Sequence, residues 1–179
     1  DEQYTNIESA KEKGYEVILL DSPIIPHLMQ KLESKKEKIK FSRVDSDTLE
    51  NLIKKDEEVI SKLTDEEKEK LKPMIETAVE NEKYTVQLEA LDSNSMPFML
   101  AQPEFMRRMK EMQQTGGGGA MGNLPEMYSL IVNTNHELVG KILNTRTEKK
   151  RNSLIKQSID LAKLSQNNLT GKDLTEFIN

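Results

Sequence analysis

The chain has 179 residues, enough for one large domain or two small ones, and we interpret it as two units. Its 26 basic and 31 acidic residues give a net charge of -5, which offers no attraction for nucleic-acid phosphates or an anionic membrane. No cysteine is present, so disulfides and thiolate metal sites are excluded, and a cytoplasmic location fits. No apolar run approaches the roughly 20 residues that span a membrane, and the polar start is not a signal sequence. The missing initiator methionine indicates a start inside a longer protein.

Residues 1–55 alternate predicted helices and strands. A helix over residues 5–13 is closed by a glycine, and the β-branched run at residues 15–20 predicts a buried strand. Residues 24–32 carry apolar side chains at helical spacing, and residues 38–44 alternate as a second strand does. This order predicts a partial βαβ piece, although two strands are too few to stand alone.

Residues 56–179 are predicted to form a second domain, which begins with a charged connector. Thr64 and Glu67 form a capping-box pattern, and this predicts a helix over residues 65–79. Pro73 lies inside that helix, where we expect it to bend or restart the chain.

Three short segments of the second domain predict strands. Residues 84–91 alternate apolar and polar side chains, and residues 92–95 supply turn chemistry before residues 97–101, so a hairpin is expected. Residues 127–132 predict a third strand. The fold class is therefore α+β, with a small and mainly antiparallel three-stranded sheet.

The last third of the chain is predicted to be helical. The expected helices are 137–143 capped by Asn135, 148–166 capped by Thr147, and a short one begun by Thr170 and Asp173. The last two carry more apolar side chains than one copy hides, with small residues that let another helix approach closely. Two copies could pair these helices as a four-helix bundle. The predicted pairing residues are Leu154, Ile155, Ser158, Ile159, Leu161, Ala162, Leu174, Phe177 and Ile178.

A methionine-rich helix precedes a run of four glycines at residues 116–119. Its apolar stripe consists of Phe105, Met106, Met109 and Met112, and the basic pair Arg107 and Arg108 falls on the other side, which we interpret as a solvated face. One interpretation makes the stripe the buried face of a core helix. The other makes it an adaptable apolar surface, because methionine repacks against unlike partners and a glycine tract is a flexible tether.

No catalytic constellation is found in the sequence, so an enzyme is not predicted. His27 and His136 lack metal-ligand spacing, and both are interpreted as structural. Asp21, Asp45 and Asp47 lie at the ends of the two predicted strands, where α/β folds often bind ligands. A turn role is favoured, but a nucleotide-binding or phospho-accepting α/β module with Asp21 or Asp45 in its site stays as the alternative function.

Four runs of sequence resemble the bacterial HtpG branch of the ninety-kilodalton heat-shock chaperones. The run GYEVILLDSPI at residues 14–24 resembles the last strand, turn and helix of that family's middle domain, and FSRVDSD at residues 41–47 resembles the segment that follows. PFMLAQPEFMRRMKEM at residues 97–112 is similar to a strand and exposed amphipathic helix of the C-terminal domain. YSLIVNTNHELV at residues 128–139 is similar to that domain's strand, Asn-x-x-His turn and helix. Order and spacing match over nearly the whole chain.

The resemblance implies a stress-response chaperone that acts on non-native client proteins. It implies the end of a middle domain at residues 1–55 and a C-terminal dimerisation domain at residues 56–179, joined as a homodimer through the last two helices. Phe105, Met106, Met109 and Met112 would contribute to client binding. The ATP and magnesium site would lie upstream, so the chain holds no cofactor and hydrolyses no ATP, whereas the full-length protein would be an ATPase. Two departures are the long glycine tract and the absence of the acidic tail with which eukaryotic members bind cochaperones.

Overall fold

A computed structural model describes residues 3–22, 24–36, 38–53, 59–79, 83–114, 127–166 and 168–179. For residue 50 and residues 110–114 it describes only the backbone. Two compact units divide the chain. The first contains Gln3–Ile53 and Gln102–Met127, and the second contains Lys54–Ala101 and Tyr128–Asn179. The elements in chain order are α1 (Tyr4–Glu12), α2 (Ile25–Lys35), α3 (Leu49–Leu52), α4 (Asp65–Val79), β1 (Tyr84–Glu89), β2 (Phe98–Ala101), α5 (Glu104–Gln114), β3 (Tyr128–Asn133), α6 (Glu137–Asn144), α7 (Glu148–Ser165) and α8 (Gly171–Ile178).

Local sequence signals account for several helix boundaries. The backbone N–H of Thr64 donates to the Glu67 carboxylate at 2.8 Å, and the Glu67 N–H donates to Thr64 Oγ1 at 3.3 Å. These reciprocal bonds are a capping box, and they confirm both the signal and the predicted helix α4. Helix α4 runs through Pro73 without restarting. At the end of α1, Gly14 has a φ of 81°, which only glycine adopts without strain.

The sheet of the second unit has the strand order β1-β3-β2. Strand β3 pairs parallel with β1, with Tyr84 opposite Tyr128, and antiparallel with β2, with Phe98 opposite Val132. The third strand and the α+β class are confirmed, but the expected hairpin is wrong because β1 and β2 are not neighbours. The sheet is mixed rather than mainly antiparallel.

The central position of β3 follows from its composition. Within the strand, Leu130, Ile131 and Val132 form a continuous apolar run. All three are buried, because helices cover one face of the sheet and a smaller apolar cluster lies on the other. Strand β1 instead alternates, with Thr85 and Gln87 exposed, as suits an edge strand. A continuous apolar run is therefore the signal that distinguishes the central strand from its neighbours.

The core of the second unit lies between one face of the sheet and three helices. Helices α4, α6 and α7 pack against one another there. Helix α4 also contacts β1, and helix α7 also contacts β2. The buried cluster contains Leu71, Ile75, Val86, Phe98, Leu100, Leu130, Val132, Val139, Ile142, Ile155, Ile159 and Ala162. On the opposite face, Ile131 packs with Leu91 and Ala101. Helix α7 is also held at its end, because Gln166 Nε2 donates to the Leu100 carbonyl at 2.6 Å.

The first unit contains helices but no strand among its described residues. The predicted strands at residues 15–20 and 38–44 are wrong, and with them the βαβ piece. Ile18 and Leu19 are 74% and 76% exposed rather than buried. The physical reason is that a strand exists only with a hydrogen-bonded neighbour, whereas β-branched composition expresses only a preference for such pairing.

Candidate functional site

Helix α5 begins with Arg107 turned inward and Phe105 turned outward. Arg107 is 9% exposed, whereas Phe105 is 70% exposed. These two residues are about 200° apart around a helix, because each residue turns it by about 100°. Arg108 is half-buried beside Arg107. The expectation that the basic pair forms a solvated face is therefore wrong, and the first turn of this amphipathic helix is inverted relative to an ordinary core helix.

A bidentate ion pair joins α5 to α2. Arg108 Nη1 donates to Glu33 Oε2 at 2.8 Å, and Arg108 Nη2 donates to Glu33 Oε1 at 3.2 Å. The same Nη2 donates to the Phe41 carbonyl at 2.8 Å, and the Phe41 N–H donates to Glu33 Oε1 at 2.7 Å. We name this set of contacts among Glu33, Phe41 and Arg108 the arginine clamp. It joins α5 to the segment of residues 33–41, which is about 70 positions away in sequence.

Within α5, Glu104 completes the polar side. Arg108 Nε donates to Glu104 Oε1 at 2.8 Å, and Arg107 Nε donates to Glu104 Oε2 at 3.1 Å. Two guanidinium groups therefore share one carboxylate at the first turn of the helix, where an acidic side chain also complements the helix dipole. Glu104 therefore helps to orient both arginine side chains within α5.

Ionisation of the clamp follows from these contacts. The hydrogen bond from Arg108 lowers the pKa of Glu33 below 4.5, with the Phe41 N–H adding to the effect. The same hydrogen bond to Glu33 raises the pKa of Arg108. Burial would raise the pKa of Glu104, but hydrogen bonds from Arg107 and Arg108 outweigh it and lower that pKa. All the charges in the clamp are therefore present at neutral pH.

The predicted client-binding residues fall into three groups. Phe105 is mostly exposed, while Met106 and Met109 are half-buried. Met112 lies in α5, but its side chain is outside the described residues, as is the whole glycine tract. The structure thus places the start of the stripe at the surface, with two methionines partly sheltered beneath it.

Helix α7 divides the predicted pairing residues between two faces. Ile155, Ile159 and Ala162 belong to the core of their own unit, and Ser158 is buried on the same face. Leu161 is 51% exposed on the other side. Leu154 is partly buried against the core, and Leu164 is 40% exposed although the sequence analysis did not single it out.

Helix α8 carries the remaining predicted pairing residues. Ile178 is 73% exposed, and Leu174 and Phe177 are half-buried. No residue of this helix is fully buried within the chain. The apolar side chains of α8 therefore remain at least partly open to a further contact.

A buried amide network follows β3, and sequence reasoning missed it. Asn135 Nδ2 donates to the carbonyls of Ile60 and Leu91, each at 3.0 Å, and Asn135 Oδ1 accepts from the Lys62 N–H at 2.6 Å. Asn133 Oδ1 accepts from the Leu91 N–H at 3.2 Å. These bonds satisfy backbone groups that do not belong to any helix or strand. The sequence signal that could have indicated this network is a pair of asparagines, two residues apart, at the end of an apolar strand.

The cap of α6 is His136 and not Asn135. The N–H of Leu138 donates to His136 Nδ1 at 3.0 Å, which confirms a structural role for this histidine. Asn135 does not cap the helix because its side chain is fully used in the buried network. At Thr147 and Thr170 the backbone takes the cap position of α7 and α8, but neither side chain makes a capping bond.

The three aspartates of the alternative function either accept hydrogen bonds from neighbouring groups of the first unit or are exposed. Asp45 Oδ2 accepts from Gln3 at 2.8 Å, and Arg43 Nε donates to Asp45 Oδ1 at 2.8 Å. Asp47 Oδ1 accepts from the Thr48 N–H at 2.7 Å, where α3 begins. Asp21 is exposed. Among the residues described, no three acidic or histidine side chains come together as a metal group, and His27 is exposed on α2.

Searches against known proteins give one consistent result. No family model matches the chain. The chain is 39% identical over 166 residues to the chaperone protein HtpG of Porphyromonas gingivalis, a match that covers 90% of this chain and 24% of that protein. It is 39% identical over 147 residues to the HtpG chaperone of Bacteroides fragilis and 37% identical over 148 residues to that of Bacteroides thetaiotaomicron, each covering 80% of this chain and 22% of the relative.

Each of these relatives is a chaperone. The chain belongs to the bacterial HtpG branch of the heat shock protein 90 family. It spans about a quarter of the length of the curated relatives that it matches. In the part of the chain that the structure describes, no helix is long and apolar enough to cross a membrane.

Proposed function

We propose that this chain carries the homodimerisation and client-contact functions of an HtpG chaperone. The longer protein would carry out ATP-dependent folding in the cytoplasm, with its nucleotide and magnesium bound outside this region. Pairing of two copies raises the effective concentration of the regions attached to each copy, and the apolar side of α5 offers a weak and reversible contact. The observation that carries the proposal is that α5 buries Arg107 and leaves Phe105 at the surface.

Client contact is supported by how much apolar surface the first unit exposes. Full burial of a large apolar side chain contributes about 1.5–3 kcal/mol, so covering the exposed part of Phe105 contributes roughly 1–2 kcal/mol. Helix α2 adds Leu28, which is 47% exposed, and Ile24 before it is 65% exposed. A few such contacts, less the entropy of ordering a flexible client, give binding that is useful and readily reversed. Met106, Met109 and Met112 are proposed to adapt to the client beneath Phe105.

Homodimerisation is supported by the second apolar side of α7. Leu154 and Leu161 are seven residues apart and therefore share a face, which Leu164 extends. The neighbouring face, with Ile155, Ser158, Ile159 and Ala162, holds the helix against its own core. We propose that Leu154, Leu161 and Leu164, with Leu174, Phe177 and Ile178 of α8, make the direct contacts with the second copy.

The domain boundary near residue 55 remains a proposal. Its support is that the second compact unit begins at Lys54. The segment Gln102–Met127, which contains α5, groups with the first unit, so a middle-domain and C-terminal-domain division in sequence need not coincide with the compact units.

Light scattering on the 179-residue chain tests the proposed pairing. A homodimer has twice the 20.5 kDa mass of one chain, and Leu161→Asp should shift it toward that single mass because a charge would be buried at the contact. Lys156→Asp, exposed on α7 about 140° from Leu161, is the matched control and should leave the mass unchanged. A wild-type mass of one chain at high concentration, or equal masses for both variants, would refute pairing through this face.

A binding titration tests client contact separately. The probe is fluorescein-labelled α-lactalbumin, kept unfolded by reduction and alkylation of its cysteines. Phe105→Ser should weaken binding several-fold without changing the thermal stability, because the side chain is mostly exposed. Equal affinities for the variant and the wild type would reject α5 as a client surface.

A further inference from the structure

The arginine clamp attaches α5 to the rest of the first unit through charge rather than through a buried apolar stripe. Arg108 contacts Glu33 of α2 and the Phe41 carbonyl, and each of these partners is also joined to the other. Such a closed ring of contacts fixes both the position and the rotation of the helix. An apolar stripe would fix its position but would hide the residues that a client needs.

The two charged side chains lie in a partly sheltered place. The Arg108 and Glu33 side chains are 23% and 22% exposed, so water screens their attraction less than it screens a surface pair. The bidentate geometry also requires the planar fork of arginine, which lysine cannot reproduce. By contrast, the pair between Lys141 and Glu137 on α6 is 65% and 80% exposed and serves as a reference for an ordinary surface pair.

We propose that Arg108 is a positioning residue which, through Glu33 and the Phe41 carbonyl, holds α5 in the rotation that buries Arg107 and lets Phe105 face a client. This inference rests on the proposed client contact and adds to it the device that orients the site. Arg108 itself need not touch the client. Its loss should free the helix to rotate or detach, after which the apolar side could fold back onto the first unit.

Hydrogen exchange of the backbone amides in residues 107–114 measures how firmly the clamp holds α5 in the 179-residue chain, because the preceding amides of the helix lack an internal acceptor. We expect Arg108→Gln and Glu33→Gln each to accelerate exchange there by roughly tenfold, because each removes a charge-assisted bidentate pair. Arg108→Lys should give an intermediate rate, since it keeps the charge and loses the fork. Lys141→Gln is the matched control and should leave exchange in α5 unchanged. Unchanged exchange in Arg108→Gln, relative to this control, would overturn the proposal.

The double variant tests whether the two residues act together. If Arg108 acts through Glu33, the variant with both substitutions should exchange no faster than either single variant. Multiplicative effects of the two substitutions would show independent contributions and would overturn the clamp.

Binding of the same unfolded α-lactalbumin probe connects the clamp to function. Arg108→Gln should weaken binding several-fold, as Phe105→Ser does, while Phe105→Ser should leave exchange in α5 at the wild-type rate. Faster exchange in Arg108→Gln with wild-type binding would overturn the positioning role. If instead Phe105→Ser binds normally, the client-contact proposal fails, and the exchange result still decides whether the clamp holds the helix.

Discussion

Asn135→Ala should destabilise the second unit more than the small number of removed side-chain atoms suggests. The side chain makes three hydrogen bonds to the backbone groups of Ile60, Lys62 and Leu91, and it is 6% exposed. Each bond contributes about 0.5–1.5 kcal/mol, and a buried group left without a partner costs about 1–3 kcal/mol. We therefore expect the free energy of unfolding to fall by about 2–4 kcal/mol.

Urea unfolding followed by circular dichroism measures this loss. The midpoint should fall by about 1–2 M with little change in the slope, because the surface exposed on unfolding stays the same. Asn144→Ala is the matched control, since Asn144 is exposed on α6 and bonds only the Gly140 carbonyl within its own helix, at 2.9 Å. Equal midpoints for the two variants would refute the reasoning that buried amide bonds hold the segment after β3.

Two further predictions concern acid and the capping box. The pKa of Glu33 is lowered in the folded chain, so its pair with Arg108 contributes its full stability above pH 4.5 and loses it as the pH falls below that value. Urea titrations between pH 7 and pH 3 should show a smaller acid-induced loss in Arg108→Gln than in the wild type, and parallel curves would contradict this. Thr64→Ala should lower the free energy of unfolding by about 1 kcal/mol in the same assay, because it removes the Oγ1 atom that accepts from the Glu67 N–H. A loss no larger than that of Asn144→Ala would show that the Thr64 hydroxyl does not cap the helix.

Helix α4 shows how much a local signal determines. The start of the helix follows from the bonds between Thr64 and Glu67. These two residues are three positions apart, so the bonds need no other part of the chain. The same holds for the end of α1, where Gly14 adopts a positive φ. Helices at these places were predictable because their determinants lie within one turn.

Strand pairing and helix rotation were not predictable in the same way. The sequence between β1 and β2 has good turn chemistry, yet β3 lies between them because its apolar run needs cover on both faces. Helix α5 has a clear apolar stripe, yet Arg107 is buried and Arg108 is half-buried, and Glu33 and Phe41 offer partners to Arg108. Both outcomes depend on residues roughly thirty or more positions away.

The sequence by itself determined which segments of the second unit become helices and strands, where several of them begin, and to which chaperone family the chain belongs. Only the tertiary structure decided the order of the strands, the face that α7 turns to its own core, and the rotation of α5 that buries Arg107. The reason is physical. Caps and periodic patterns act within a few residues, whereas a strand neighbour or a partner for a buried charge exists only after distant segments have come together.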